Sequence, residues 1–265
     1  MEGAKALETR LQLADLMEAL QERRIRTRYQ PIVRMHDRHP TGVEVLARLE
    51  HPVHGLVEAD RFVPPMEAAG LGRLLSEAVV ATAFEEWQRF DLARLGLTLA
   101  INMPLDVLLM PETLDWLKAE RIRCGLDAEQ IVIELTESQQ LNSLPELANM
   151  IARYRANGYR LAIDDVGPSI RDHRPLLDMS FSLLKLDRSL VQGEDPDGGH
   201  AEFLAFSLEA AREVGLVVIA EGVEDEATWA RMSAAGIDQA QGYFIGQPMQ
   251  AGELAAWHAT WCDDA

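Results

Sequence analysis

The chain has 265 residues, with 25 basic and 43 acidic side chains and a formal net charge of −18. A hydrophobic share of 48% supplies a sizeable core and excludes a wholly disordered chain. Charge this negative argues against a nucleic-acid polymer or an anionic membrane as partner, since clustered cations hold both; a small anion is admissible if metal ions bring positive charge.

Hydrophobic periodicity alternates between two and 3.6 residues along the chain. An opening amphipathic helix is expected from about Ala6 to Arg23, within residues 1–24. Strands are expected at Arg26 to Val33, Thr41 to Leu49, Leu97 to Asn102, Ile131 to Thr136 and Arg160 to Asp165. Further strands are expected at Ser182 to Asp187, Leu216 to Ala220 and Gln239 to Ile245. Between them, Met103 to Met110 reads as a helix start with a core face. Ser143 caps a helix that places Leu147, Met150, Ile151 and Tyr154 on one face and stops at Gly158. Another runs from near Ala201 to Val214, closed by Gly215. A third starts at Asp225, carries Trp229 and Met232 on one face, and ends at Gly236.

Eight strands alternating with helices predict an α/β fold, a single (β/α)8 TIM-type barrel over residues 1–265. An open doubly wound sheet is the alternative, but no GxGxxG turn follows any strand. The opening helix then reads as a cover for the barrel base, or as an aid to dimerisation. No run approaches the roughly 20 apolar residues of a membrane span. Cys124 and Cys262 have neither disulfide nor metal-ligand spacing, so a reducing, cytoplasmic setting is expected.

In a barrel, chemistry belongs at the C-terminal ends of the strands. Glu44 lies in the second strand, Asn102 ends the third, Glu134 and Glu137 end the fourth, and Asp164-Asp165 end the fifth. Lys185 and Asp187 follow on the sixth, Glu221 on the seventh and Gln241 near the eighth. An acid just past a strand is commonly the N-cap of the next helix, and turn aspartates are common. So many converging oxygens, however, cannot be satisfied by one lysine, and they suit hard divalent cations, Mg²⁺ or Mn²⁺. Lysine occurs only at Lys5, Lys118 and Lys185 among the 25 cations; only Lys185 sits in an apolar run, Phe181-Ser-Leu-Leu-Lys-Leu-Asp187. The seven histidines show no metal or HD pattern and read as surface or turn residues, and no GxSxG elbow is present.

The ordered motifs also resemble the EAL-domain cyclic-di-GMP phosphodiesterases, from about Leu16 to Trp257. The matching segments are Tyr29-Gln-Pro-Ile-Val33, Glu44-Val-Leu46 with Arg48, His51-Pro-Val-His-Gly-Leu56 and Phe62-Val-Pro64. They continue with Ile101-Asn102, Glu134-Leu-Thr-Glu137, Asp164-Asp165-Val-Gly167, Lys185-Leu-Asp187, Ala220-Glu-Gly-Val-Glu224 and Gln241-Gly-Tyr243. The resemblance implies a barrel with one strand antiparallel to the rest. It also implies hydrolysis of cyclic di-GMP to linear pGpG with two Mg²⁺ or Mn²⁺ ions, and a homodimer.

Carried over by position, the metal ligands are Glu44, Asn102, Glu134, Asp164, Asp165 and Glu221. Glu44, Lys185, Glu221 and Asp165 form the catalytic set, with Lys185 on the attacking water. Substrate contacts fall on Gln30, Leu46, Arg48, Gln241 and Pro248, and Glu137 braces the loop after the fifth strand. Removing Glu44 is expected to abolish turnover while relieving repulsion among the remaining acids.

Two departures stand out. Val45 replaces the alanine of the signature tripeptide, which changes no ligand. After Asp165 the chain reads Val-Gly-Pro-Ser-Ile170 where active members usually read Phe-Gly-Thr-Gly-Tyr. Pro168 fixes φ and removes a donor, so a weaker second metal position and slow turnover are expected. Two alternatives stay open: a cyclic-di-GMP-binding sensor that does not cut, and a metal-dependent barrel hydrolase of another phosphoester.

Overall fold

The computed structural model describes residues 11–136, 143–167, 174–177, 179–193 and 199–263. Its strands are β1 (Ile25–Arg34), β2 (Pro40–His51), β3 (Gly55–Glu58), β4 (Thr98–Pro104), β5 (Ile131–Thr136), β6 (Arg160–Val166), β7 (Leu183–Leu186), β8 (Val217–Ala220) and β9 (Gln239–Gln241). The α-helices are α1 (Leu13–Gln21), α2 (Ala59–Ala68), α3 (Gly72–Arg89), α4 (Leu105–Leu109), α5 (Thr113–Arg123) and α6 (Leu144–Ala156). They continue with α7 (Arg174–Leu177), α8 (Arg188–Gln192), α9 (His200–Val214), α10 (Glu226–Ala235) and α11 (Leu254–Asp263).

The sheet runs β1-β9-β8-β7-β6-β5-β4-β2 and closes through β1–β2, while β3 pairs with β2 alone. Neighbours from β2 through β4 to β9 are parallel, and β1 is antiparallel to both β2 and β9. The barrel and its one reversed strand are therefore as expected. All eight barrel strands overlap their expected spans. The last one stops at Gln241 rather than Ile245, because the chain turns at Gly242 to cross the end of β8.

The period of two along each strand builds the interior in layers. Ile32, Ala100, Val132, Ala162, Leu183 and Ile219 form a separate apolar cluster. Each lies two residues from a polar group at the mouth: Gln30, Asn102, Glu134, Asp164, Lys185 and Glu221. An apolar plug thus underlies the polar layer, and the larger core lies outside the barrel against the helices. Ser143 Oγ accepts from the Glu146 N–H at 3.4 Å, and Asp225 Oδ1 accepts from the Thr228 N–H at 2.7 Å. Gly215 and Gly236 close α9 and α10 in the left-handed conformation, so these helices begin and end as expected.

Two features differ from expectation. Residues Gly55–Glu58 add the short strand β3, which is too brief to show a periodicity. Helix α1 does not cover the base. The Ile25–Tyr29 half of β1 pairs with Val45–Leu49 beyond the barrel mouth, and α1 packs against that projecting ribbon and against α2 and α3. Among the histidines, expected at the surface or in turns, His51 takes a turn: it is buried, and its Nδ1 accepts from the Val53 and His54 N–H groups at 3.1 and 3.2 Å and fixes the β2–β3 turn.

Candidate active site

Lys185 is 1% exposed and its ammonium is the hub of the barrel mouth. Glu221 Oε1 lies 2.6 Å from Nζ, Glu134 Oε2 and Asp164 Oδ1 each 3.0 Å, and Glu44 Oε2 3.4 Å. These acids come from β2, β5, β6 and the residue after β8, so barrel closure gathers them. Glu134 Oε2 and Asp164 Oδ1 meet the ammonium as charges at angles that make no hydrogen bond, and both are buried without a hydrogen-bond partner.

Glu44 is the best-satisfied acid. Its Oε1 accepts from Asn102 Nδ2 at 2.7 Å, and its Oε2 accepts from Gln241 Nε2 at 2.6 Å. Gln241 also donates to Gln30 Oε1 at 3.0 Å, and Gln30 donates to the Gly246 carbonyl at 3.3 Å. Burial pushes the Glu44 pKa up, but the Lys185 charge and the two amide donors outweigh it, and the net shift is down. Glu134 goes the other way: burial dominates, the other anions add to it, and its pKa rises well above the usual range despite Lys185. Burial, with Asp164 and Glu44 nearby, holds Glu221 at about 8 against the pull of Lys185. Burial disfavours the Lys185 cation, but Asp164, Glu134, Glu221 and Glu44 together raise its pKa well above that of a free lysine.

The paired aspartates depend on a local irregularity. The β6–β7 register slips between Ile163 and Val166, and Asp165 takes a φ of +53°. The bulge leaves Asp164 buried and Asp165 exposed on the same rim. Although Asp165 reaches solvent, the atoms crowded around it and neighbouring Asp164 push its pKa up to about 6. Carboxylate oxygens of Asp164, Asp165 and Glu221 lie within 4.8 Å of one another, a spacing that could hold a cation. The donor set fits a hard divalent ion: it is all oxygen, and buried oxygens of Glu134 and Asp164 accept no hydrogen bond.

Two clefts of about 330 Å³ each flank this cluster and share Leu46, Asp164 and Asp165. One is apolar, walled by Val63, Pro64, Leu75 and Val79 of α2 and α3. The other is polar and holds Gln30, Glu44, Lys185, Glu221 and Gln241, with Arg188, Glu224 and Tyr243 at its edge.

The profile of the EAL domain matches residues 13–248. The chain belongs to the EAL domain family. It is 29% identical over 255 residues to MucR of Pseudomonas aeruginosa, named a bifunctional diguanylate cyclase/cyclic di-GMP phosphodiesterase, covering 96% of this chain and 37% of that one. A second protein of that organism, named a cyclic di-GMP phosphodiesterase, is 30% identical over 233 residues, or 86% of this chain and 39% of its own. The chain thus spans little more than a third of these relatives. A solved structure titled as the PaMucR phosphodiesterase in complex with c-di-GMP superposes with a TM-score of 0.84 at 29% identity, over 91% of this chain and 98% of that one.

Within this EAL domain, Glu44, Asn102, Glu134, Asp164, Lys185, Glu221 and Gln241 converge, with Asp165 at the rim and Gln30 and Leu46 on the cleft walls. Other residues are placed differently. Arg48 is buried and pairs with Glu58 of β3 at 2.8 Å, and it lines neither of these two clefts. Pro248, half-buried before the Met249–Tyr29 bridge, lines neither of them. Asp187 is a helix cap: its Oδ1 accepts from the Ser189 N–H at 2.9 Å and from the Ser189 hydroxyl. Glu137, Pro168 and Ser169 lie outside the described residues. Arg188 and Glu224 at the cleft edge were assigned no role; the signal was that Arg188 directly follows the Lys185 motif and Glu224 closes the Glu221 motif.

Proposed function

We propose that this EAL domain hydrolyses one phosphodiester bond of cyclic di-GMP to give linear pGpG, with two Mg²⁺ or Mn²⁺ ions. The observation that carries the reading is the set of barrel-mouth carboxylates, two of whose buried oxygens accept no hydrogen bond, placed between two clefts. A two-lobed dinucleotide matches that layout, with its phosphate at the cluster. The names of the relatives support the same substrate.

Glu44, Asn102, Glu134, Asp164, Asp165 and Glu221 would hold the ions. Ions bound there would lower the pKa of a water and neutralise charge on the phosphate in an in-line displacement. Gln241 and Asn102 fix both oxygens of Glu44, so this acid is pre-oriented. Lys185 keeps its proton at the reaction pH and holds a fixed positive charge where the attacking oxygen and the phosphate must meet. The apolar plug beneath keeps bulk water from the far side of the barrel. Self-association as a homodimer and a cytoplasmic location belong to the same reading. Among the described residues, no helix is long and apolar enough to cross a membrane.

Incubation of the purified chain with cyclic di-GMP and Mn²⁺, followed by chromatography of the nucleotides, tests the proposal. Conversion to pGpG is the expected result. Binding without conversion identifies a sensor, and hydrolysis of other phosphoesters alone identifies a different substrate. Light scattering on the same sample reads the oligomeric state.

A further inference from the structure

Away from the barrel mouth, the turn between β2 and β3 is closed by a side chain. His51 is 8% exposed, and its Nδ1 accepts from two successive backbone N–H groups, of Val53 and His54. Pro52 before them has no N–H to compete, and Gly55 reverses the chain with a φ of +68°. A ring nitrogen that accepts must keep its lone pair, so this geometry requires a neutral imidazole with its proton on Nε2. The His54 ring stacks on that of His51, with centroids 4.5 Å apart. Beyond the ladder itself, the other ties of the hairpin are slight. β3 has four residues and pairs with β2 alone, Val57 is its one buried side chain, and the Arg48–Glu58 pair closes its far end.

We propose that His51 is a proton-operated latch on this hairpin: neutral, it closes the turn, and protonated on Nδ1 it sets a donor against two donors and releases the turn and β3. The groups around the ring set the direction. Burial and His54 disfavour the imidazolium, and so does Arg24, itself paired with Glu18 and Glu22 at 2.9 Å. Asp15 and Glu18 of α1 pull the other way, and the net shift is down from the ordinary 6.5. The unfolded turn therefore takes the proton more readily than the folded one. The latch holds above about pH 6.5 and weakens as pH falls below it. Its reach extends past β3, because α2 starts at the next residue, Ala59, and α1 packs on α2. The latch is independent of what the barrel hydrolyses.

Amide hydrogen exchange of the full chain at pH 8 and pH 5, corrected for the intrinsic rate at each pH, tests the proposal. Protection of Val53, His54 and the β3 residues should fall about tenfold between the two, relative to β5, as one or two neutral hydrogen bonds are lost. The internal reference is needed because Glu221, held at about 8, moves global stability in the opposite direction. His51→Asn puts an amide oxygen, an acceptor that does not titrate, close to the position of Nδ1. Its hairpin should keep the same protection at both pH values. His51→Ala, with no acceptor, should show at pH 8 the low protection that wild type reaches at pH 5. A wild-type hairpin equally protected at both pH values overturns the proposal. So does a fall of the same size in His51→Asn, which would assign the response to His54 or the α1 acids. A His51→Ala hairpin as well protected as wild type at pH 8 would show that the ring closes nothing.

Discussion

At the residue scale, Glu44 and Glu134 are opposite kinds of acid around one lysine. Glu44 accepts from two buried amides, so Glu44→Ala leaves Asn102 and Gln241 donors unpaired. It should abolish turnover and destabilise the metal-free protein by about 1–3 kcal/mol per orphaned donor. This reverses the expected relief of repulsion; that relief belongs to Glu134, whose pKa is raised and whose Oε2 has no hydrogen bond. Glu134→Gln should also abolish turnover yet stabilise the metal-free protein by about 0.5–2 kcal/mol. Urea titrations with chelator read both signs, and a destabilised Glu134→Gln would contradict the argument. Lys185→Met should cost about 3–5 kcal/mol without metal, since it strands several buried acids, and kcat should fall about 10²–10³-fold at saturating Mn²⁺. A loss confined to KM would make Lys185 a binding group. Glu134 and Lys185 were legible because each follows an apolar run near a strand end, whereas Glu44, inside β2, was legible from the family resemblance. Their roles were less so: Asp187, a cap, and Asp164, in the cluster, look alike in sequence, since both are acids closing a strand.

At the element scale, the site is held by the crossing of the segments after β8 and β9. Gly242 passes so close to Val223 that a Cβ would fall inside its carbonyl oxygen and nitrogen. Gly242→Ala should therefore cost about 1–3 kcal/mol and lower activity, because Glu221 and Gln241 move with the crossing. Unchanged melting and turnover would show the crossing to be slack. Alternation in the sequence located all eight barrel strands, but a period of two carries no direction, so the reversal of β1 came from family resemblance and not from pattern. The Arg48–Glu58 pair was hidden for a related reason. It depends on the register of a four-residue strand, and register is set by pairing rather than by composition.

At the scale of the whole molecule, the acid cluster links folding to pH. Glu221 titrates at about 8 in the fold, against an ordinary carboxyl near 4.5. Between those values the native state binds more protons than the unfolded chain, so metal-free stability falls as pH rises through this window. The net charge of −18 adds self-repulsion in the same direction. Tm in chelator should therefore drop from pH 5 to pH 8. Mn²⁺ should raise Tm most at the alkaline end, where the acids are ready to bind it. Glu221→Gln should flatten the chelator profile; a slope as steep as wild type would assign the effect to overall charge.

The scarcity of lysine gives the buried ammonium another consequence. Lys118 is exposed on α5, whereas Lys185 is sealed beneath four carboxylates. An amine-acylating reagent should mark Lys118 at once and Lys185 only when the barrel mouth breathes. Peptide mass spectrometry of a timed labelling then yields a clock for local opening, with its reference amine already present in the same chain. Ligands that brace the mouth should slow that clock without touching the tick at Lys118.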